Sequence, residues 1–153
     1  MWVPPEDKDP VLLHAPTRKS VALFGAVCLA DGRLATLRAD VFDAVTFRDF
    51  LCTLVRRRRR AKKMIVVLDN ARYHYAAINE PWVEAHKDVL ELSHLPPYSP
   101  ELNPVERVWK LTRRICTHNQ YFPNLEDLIA TVQEQFGRWR QPNETLHRLC
   151  AVH

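Results

Sequence analysis

Two rhythms of apolar and polar positions run along this chain. Ser20 to Leu29 reads Ser-Val-Ala-Leu-Phe-Gly-Ala-Val-Cys-Leu, and Arg33 to Phe42 follows in the same style; both runs predict strands. Asp31-Gly32 lies between them and predicts a hairpin. Thr46 then predicts the start of a helix, capping a first turn that has Asp49 three residues on. Phe47, Phe50, Leu51, Leu54 and Val55 follow at helical spacing. Met64 to Leu68 is short, apolar and unbroken, which predicts a strand buried on both faces of a sheet. Ala76 to Lys87 reads as a second helix and Val89 to His94 as a short strand. Pro96-Pro97-Tyr98-Ser99-Pro100 excludes regular structure. Asn103-Pro104 predicts a helix start, with Asn as cap and Pro in the first turn. Val105, Val108, Trp109, Thr112, Ile115 and Cys116 would share one face of that helix. A last helix begins near Asn124, with Leu125, Leu128, Ile129, Val132, Phe136 and Trp139 as its stripe. Residues 1–19, interrupted by Pro4, Pro5, Pro10 and Pro16, read as an irregular segment. Residues 20–153 read as one domain. Strands alternating with helices after a hairpin predict an α/β fold, a mixed sheet flanked by helices.

The composition narrows the class. A chain of 153 residues with 46% hydrophobic and 26% charged side chains is long enough to build its own core, and wholesale disorder is excluded. No apolar run is long enough to span a bilayer and no charged-then-apolar leader opens the chain, so a cytoplasmic protein without membrane contact is expected. Cys28, Cys52, Cys116 and Cys150 are scattered without metal-ligand spacing and read as reduced thiols. The net charge of +4 leans only weakly towards a polyanionic partner. Its distribution says more. Arg56, Arg57, Arg58, Arg59, Arg60, Lys62 and Lys63 put seven positive charges into eight residues. Arg107, Lys110, Arg113 and Arg114 form a second basic segment, and no acidic residue falls between Arg107 and His118. Cations also suit the carboxyl end of a helix, so the first run has a plain reading as a solvated helix end. Two separated basic segments favour phosphate contact without sequence readout.

Two carboxylates stand where chemistry could sit. Asp69 follows an apolar strand, at the carboxyl end where open α/β sheets place their ligands; with Asn70 it could equally start a turn. Glu106 lies three residues after Asn103, the spacing of a capping box. A carboxylate in a helix's first turn beside one at a strand end could instead hold a hard divalent cation such as Mg²⁺. His74 lies five residues after Asp69 and carries a near-neutral pKa that suits proton chemistry. Asn70, His74 and Asn103 are the auxiliary candidates.

Val67-Leu68-Asp69-Asn70-Ala71-Arg72-Tyr73-His74 is similar to the second-aspartate motif of mariner-superfamily insertion-sequence transposases. Leu95-Pro96-Pro97-Tyr98-Ser99-Pro100-Glu101-Leu102-Asn103-Pro104-Val105-Glu106-Arg107-Val108-Trp109-Lys110 resembles their third-carboxylate motif, a long and specific pattern. The 36 residues between Asp69 and Glu106 match the family's separation closely. Phe24-Gly25-Ala26, Asp31-Gly32, Thr46-Phe47 and Phe50-Leu51 extend the likeness over essentially the whole chain.

The resemblance implies a ribonuclease-H-like fold and a DDE transposase catalytic domain that cleaves and joins DNA with two Mg²⁺ or Mn²⁺ ions. By carry-over, Asp69 and Glu106 are catalytic metal ligands, close enough to share a site. Transposon-end and target DNA are the implied partners, and a homodimer the implied assembly. The family's first aspartate stands on a central strand upstream of a Trp like Trp2. That strand and its Asp are therefore expected to come from an upstream segment or a second chain. Asp7, Asp9 and Asp31 are not assigned in its place. The 153-residue chain alone is then expected neither to cut nor to join DNA. The alternative is a catalytically inactive remnant that only binds nucleic acid through its basic segments.

Overall fold

A computed structural model describes residues 11–13 and 20–152 of the chain. In order, the elements are β1 (Val11–Leu13), β2 (Ser20–Val27), β3 (Leu34–Ala39), α1 (Ala44–Arg57), β4 (Met64–Leu68), α2 (Glu80–Ala85), β5 (Leu90–His94), α3 (Val105–Thr112), α4 (Leu125–Trp139) and α5 (Glu144–Leu149). They fall into two compact units. Val41–Asn103 forms one; the segments ending at Asp40 and starting at Pro104 form the other. Trp2, Asp7 and Asp9 lie outside the described residues.

In the unit built from the two flanking segments, β1, β2 and β3 make an antiparallel sheet in that order. β1 sits inside the segment read as irregular, pairing Val11 with Ala22 and Leu13 with Ser20. Three residues are too few to show a period, and a neighbouring strand's open edge supplies their hydrogen bonds. The hairpin of β2 and β3 is as expected, with Val27 opposite Leu34. Its loop is longer than an Asp-Gly turn. Cys28 N–H donates to Arg33 O at 2.8 Å, enclosing four residues. Asp31 Oδ1 accepts from Arg33 N–H at 3.1 Å, and Gly32 takes φ 77°, which a side chain would resist.

α3 packs on β2 and α4 on β3. Val21, Leu23, Leu34, Val108, Trp109, Leu128, Val132 and Phe136 are among the buried side chains of this core. Each contributes about 1.5–3 kcal/mol by leaving water. The predicted α4 stripe is the buried one, and Asn124 caps it by accepting from Asp127 N–H at 2.9 Å. α5 was not legible as a helix. Six residues carry little periodic signal, yet Asn143 caps them, accepting from Leu146 N–H at 2.8 Å while donating through Nδ2 to Gly32 O at 2.8 Å.

α3 begins where Asn103-Pro104 predicts, but Pro104 rather than Asn103 is its N-cap and no side-chain cap bond closes its first turn: Asn103 is extended at φ −94°, ψ 107°, and Pro104 is helical at φ −59°, ψ −26°. Its far end departs from expectation. Arg113–Thr117 is a π-helical turn, with His118 N–H donating to Arg113 O at 2.9 Å. The extra residue rotates the face, so Cys116 stays buried while Ile115, expected on the apolar stripe, is 45% exposed.

In the Val41–Asn103 unit, Asp43 caps α1 rather than Thr46. Asp43 Oδ1 accepts from Thr46 N–H at 2.8 Å and Thr46 Oγ1 accepts from Asp43 N–H at 3.1 Å, a reciprocal box placed three residues earlier than expected. Those hydrogen bonds hold the Asp43 carboxyl below the usual range. Phe47, Phe50, Leu51 and Leu54 are buried as predicted. β4 and β5 pair in parallel, Met64 with Leu90 through Leu68 with His94. β4 is not buried on both faces: Val66 and Leu68 are covered, whereas Ile65 is 62% and Val67 46% exposed. An unbroken apolar run hid this alternation. The helix expected over 76–87 is reduced to a 3₁₀ turn, Ala77–Asn79, followed by the short α2, and a further 3₁₀ turn, Arg72–Tyr75, precedes them. Pro81 lacks the N–H that an interior helical position needs but suits the first turn. Buried Asn79 ties this segment to α1, its Nδ2 donating to Ala44 O at 2.8 Å. The antiparallel and parallel pairings expected within one mixed sheet are divided between two sheets, β1-β2-β3 and β4-β5.

Candidate active site

Asp69 follows β4 directly, and its surroundings are built by local hydrogen bonds. Its Oδ1 accepts from Ala71 N–H at 3.1 Å and faces His74 Nδ1 at 3.1 Å. The same His74 nitrogen lies 3.0 Å from Asp69 O. Both partners are acceptors, so the arrangement calls for the Nδ1–H tautomer. The imidazole is fixed from behind by rings: Phe47 and Tyr73 each centre 4.5 Å from it. The His74 side chain is 8% exposed and that of Asp69 18%, so this is a sheltered carboxylate with a short path to solvent. Asn70 Nδ2 donates to Leu95 O at 2.7 Å, and Tyr75 Oη donates to Asn70 Oδ1. Leu95 N–H donates back to Leu68 O at 2.7 Å, so the loops leaving β4 and β5 are laced together at the carboxyl ends of both strands.

His94 was left aside in the sequence. Parallel register sets it beside Leu68, and Tyr75 stacks on its ring at 4.2 Å. Aligning the ends of the two predicted strands would have found it. Burial pushes its pKa down, His74 does so further, and the Asp69 carboxylate partly offsets both. A histidine with a lowered folded pKa binds fewer protons folded than unfolded. Stability is therefore lost as pH falls below the ordinary value of 6.5 towards the folded one. The melting temperature of His94→Gln is expected to fall less than that of the parent across this window; equal slopes would remove His94 as the cause.

Glu106 lies in the first turn of α3, half-buried. Asp69 belongs to the Val41–Asn103 unit and Glu106 to the other. Among the described residues no three metal-ligating side chains cluster. The basic candidates have different surroundings. Arg56 and Arg57 close the last turn of α1, and Lys63 Nζ pairs with Glu91 at 3.3 Å. Arg107 is engaged with the chain itself, its guanidinium donating to Leu149 O and Ala151 O at 3.2 Å each. Lys110, Arg113 and Arg114 instead line an open cleft. The four cysteines are free, and burial raises the pKa of the Cys116 and Cys150 thiols. No helix among the described residues is long and apolar enough to cross a membrane.

Residues 1–129 match the family model described as DDE superfamily endonuclease, and the chain belongs to that family. Among its relatives, the protein y4pE/y4sA of Sinorhizobium fredii is 33% identical over 108 residues, covering 71% of this chain and 76% of the relative. The 39 kDa protein of insertion element IS630 from Shigella sonnei is 25% identical over 111 residues; the match spans 72% of this chain but only 32% of that protein. Of solved structures, the catalytic domain of the Mos1 mariner transposase superposes with a TM-score of 0.67 at 19% identity, covering 94% of this chain and 72% of that one. The Mos1 paired-end complex with Mn gives 0.65 at 19% identity, over 98% of this chain and 46% of that one. The fold is thus ribonuclease-H-like.

Proposed function

We propose that the chain contributes two carboxylate ligands, Asp69 and Glu106, to the divalent-ion centre that carries out cleavage and strand transfer in DNA transposition. The observation that carries this reading is the pinned carboxylate at the end of β4, in a chain whose family match runs through both carboxylate motifs. The donor set fits the group. Two carboxylates are hard oxygen ligands of the kind Mg²⁺ and Mn²⁺ take, and Mg²⁺ sites are commonly completed by substrate phosphates and water. Bound ions would activate the attacking hydroxyl and stabilise the leaving oxygen in an in-line displacement.

The residues on the page prepare that chemistry. Ala71 N–H and His74 fix Oδ1 of Asp69, which orients the carboxylate before any ligand arrives. The Phe47 and Tyr73 rings keep the imidazole from swinging away. Asn70 and Asn103 border the two motifs as auxiliary residues. DNA is the proposed substrate, in line with the paired-end assembly in which Mos1 was solved, and a homodimer the proposed assembly. Metal and DNA should then bind cooperatively, because phosphate oxygens complete the metal's shell. The test is a Mn²⁺ titration followed by electron paramagnetic resonance, with and without transposon-end DNA. Tighter Mn²⁺ binding with DNA is expected. Equal affinity in the two arms would overturn the reading.

The arginine run adds non-specific grip. Each phosphate neutralised contributes about −0.9 to the log–log salt dependence on duplex DNA. Replacing Arg57 to Arg60 with Ser should flatten that slope in fluorescence-anisotropy titrations. An unchanged slope would make the run a solvated helix end.

A further inference from the structure

We propose that Arg107 is a positioning residue: it clamps the chain leaving α5 onto the first turn of α3, and that clamp sets the place of Glu106. This rests on the reading of Glu106 as a metal ligand and adds what holds that ligand still. The clamp draws on chain beyond residues 1–129, the span of the family match.

The first turn of α3 has no local lock. Amides at a helix start lack intrahelical partners, and a capping side chain ordinarily satisfies one of them. Pro104 is the N-cap of α3 and makes no side-chain cap bond. Arg107 adds a burden, since a cation in a first turn meets the positive end of the helix dipole. Both features weaken the turn that presents Glu106.

The chain leaving α5 supplies what is missing. Arg107 Nη1 donates to Leu149 O and to Ala151 O, at 3.2 Å each. These carbonyls end a helix, where the last acceptors lack intrahelical donors and a cation is favoured. The guanidinium that is misplaced on α3 is thus well placed on α5. Between the two carbonyls Cys150 turns inward, 1% exposed, and its thiol donates to Pro104 O at 3.6 Å. Pro104 O also accepts from Arg107 N–H at 3.0 Å. The tethers at 104 and 107 therefore bracket Glu106.

α5 is anchored at its other end too. Asn143 N–H donates to Asp31 O at 3.0 Å, and its Nδ2 to Gly32 O at 2.8 Å. A Cβ on Gly32 would run into Asn143 O and His147 N, so the β2–β3 loop sits directly on the start of the helix. Leu146 is buried in the same core as Val108 and Trp109. α5 is thus a strap fixed to the hairpin at one end and to the Glu106 turn at the other.

The test uses the full chain without DNA. Arg107 is exposed, so Arg107→Met and Arg107→Lys leave the core intact. Residue-resolved amide exchange by NMR reads the clamp directly. Arg107→Met keeps the stem and removes the donor. The amides at position 107 and of Cys150 should then exchange about 10-fold faster, the order expected for a lost hydrogen bond from a charged donor. Arg107→Lys keeps a charged donor and should recover most of the protection. Unchanged exchange at both amides in Arg107→Met would overturn the clamp. Paramagnetic resonance titration of Mn²⁺ reads its bearing on Glu106. Arg107→Met should weaken Mn²⁺ binding about 10-fold in the parent, and have no further effect in Glu106→Gln. A phosphate contact would leave Mn²⁺ affinity without DNA unchanged, and a general loss of stability would act equally in Glu106→Gln; either result overturns the positioning role. A parent chain that binds no Mn²⁺ removes the metal reading instead, and amide exchange alone then decides the clamp.

Discussion

Asp69→Asn is expected to weaken Mn²⁺ binding more than any other single change in the Val41–Asn103 unit. The substitution keeps the side chain's shape and its contact with Ala71 N–H but removes the negative charge. Loss of an outer-shell partner already lowers metal affinity by about 10–100-fold in characterised sites; loss of a ligand charge should reach the upper end of that range or pass it. Glu106→Gln should do the same. If both carboxylates hold the same ions, the double variant should bind little worse than the poorer single one, because residues acting as a unit are not additive. His74→Ala should cost about 10-fold, as an outer-shell partner, with partial recovery in His74→Asn, which can still present a donor to Oδ1. Paramagnetic resonance titration of free Mn²⁺ measures the parent and each variant. An Asp69→Asn isotherm that overlays the parent's would end the assignment.

Much of this site was legible because its parts are local. Asp69, Asn70 and His74 lie within one short motif, and the tight chain path after β4 brings His74 back onto Asp69. The Asn103-Pro104 start of α3 was legible for a similar reason: proline's fixed φ decides it whatever the surroundings. What stayed hidden depends on partners distant in sequence. His94 reaches the strand end only through parallel register, and β1 exists only through β2's edge. The exposed face of β4 was concealed because Ile65 and Val67 are as apolar as Val66 and Leu68, so composition gave no period to read. The early cap of α1 was missed because Thr46 is an equally good cap residue; reciprocal bonding chose Asp43.

Gly25→Ala is expected to lower the melting temperature by about 3–12 °C, a range that follows from two magnitudes. Gly25 is in β2, and the six-membered ring of Trp109 rests on its Cα. A Cβ there would come within 2.5 Å of Trp109 Cζ2 and closer still to Cη2. Trp109 cannot retreat easily, since Phe136 packs edge-on against it with ring centres 5.8 Å apart and the indole is 5% exposed. Overpacking of this kind costs about 1–3 kcal/mol, and 1 kcal/mol moves the transition of a domain this size by about 3–4 °C. Trp109→Phe opens the space the methyl needs, so the penalty of Gly25→Ala should shrink in that background, a coupling that differential scanning calorimetry of the four proteins would resolve. An undiminished penalty in the Trp109→Phe background would point instead to lost backbone freedom in the strand.

The π turn at 113–117 also bears on how the chain length can change. An α-helix lengthened or shortened by one residue ordinarily turns every later side chain by about 100°, which would carry a core residue into solvent. Here the surplus is already absorbed: Trp109, Thr112 and Cys116 face inward, while Ile115 faces outward. The helix is thus spliced at the one place where its inner face does not depend on a continuous count. A residue inserted or removed here should therefore be taken up by Thr117 to Asn119, which are half-buried or exposed, and leave Trp109, Thr112 and Cys116 in register.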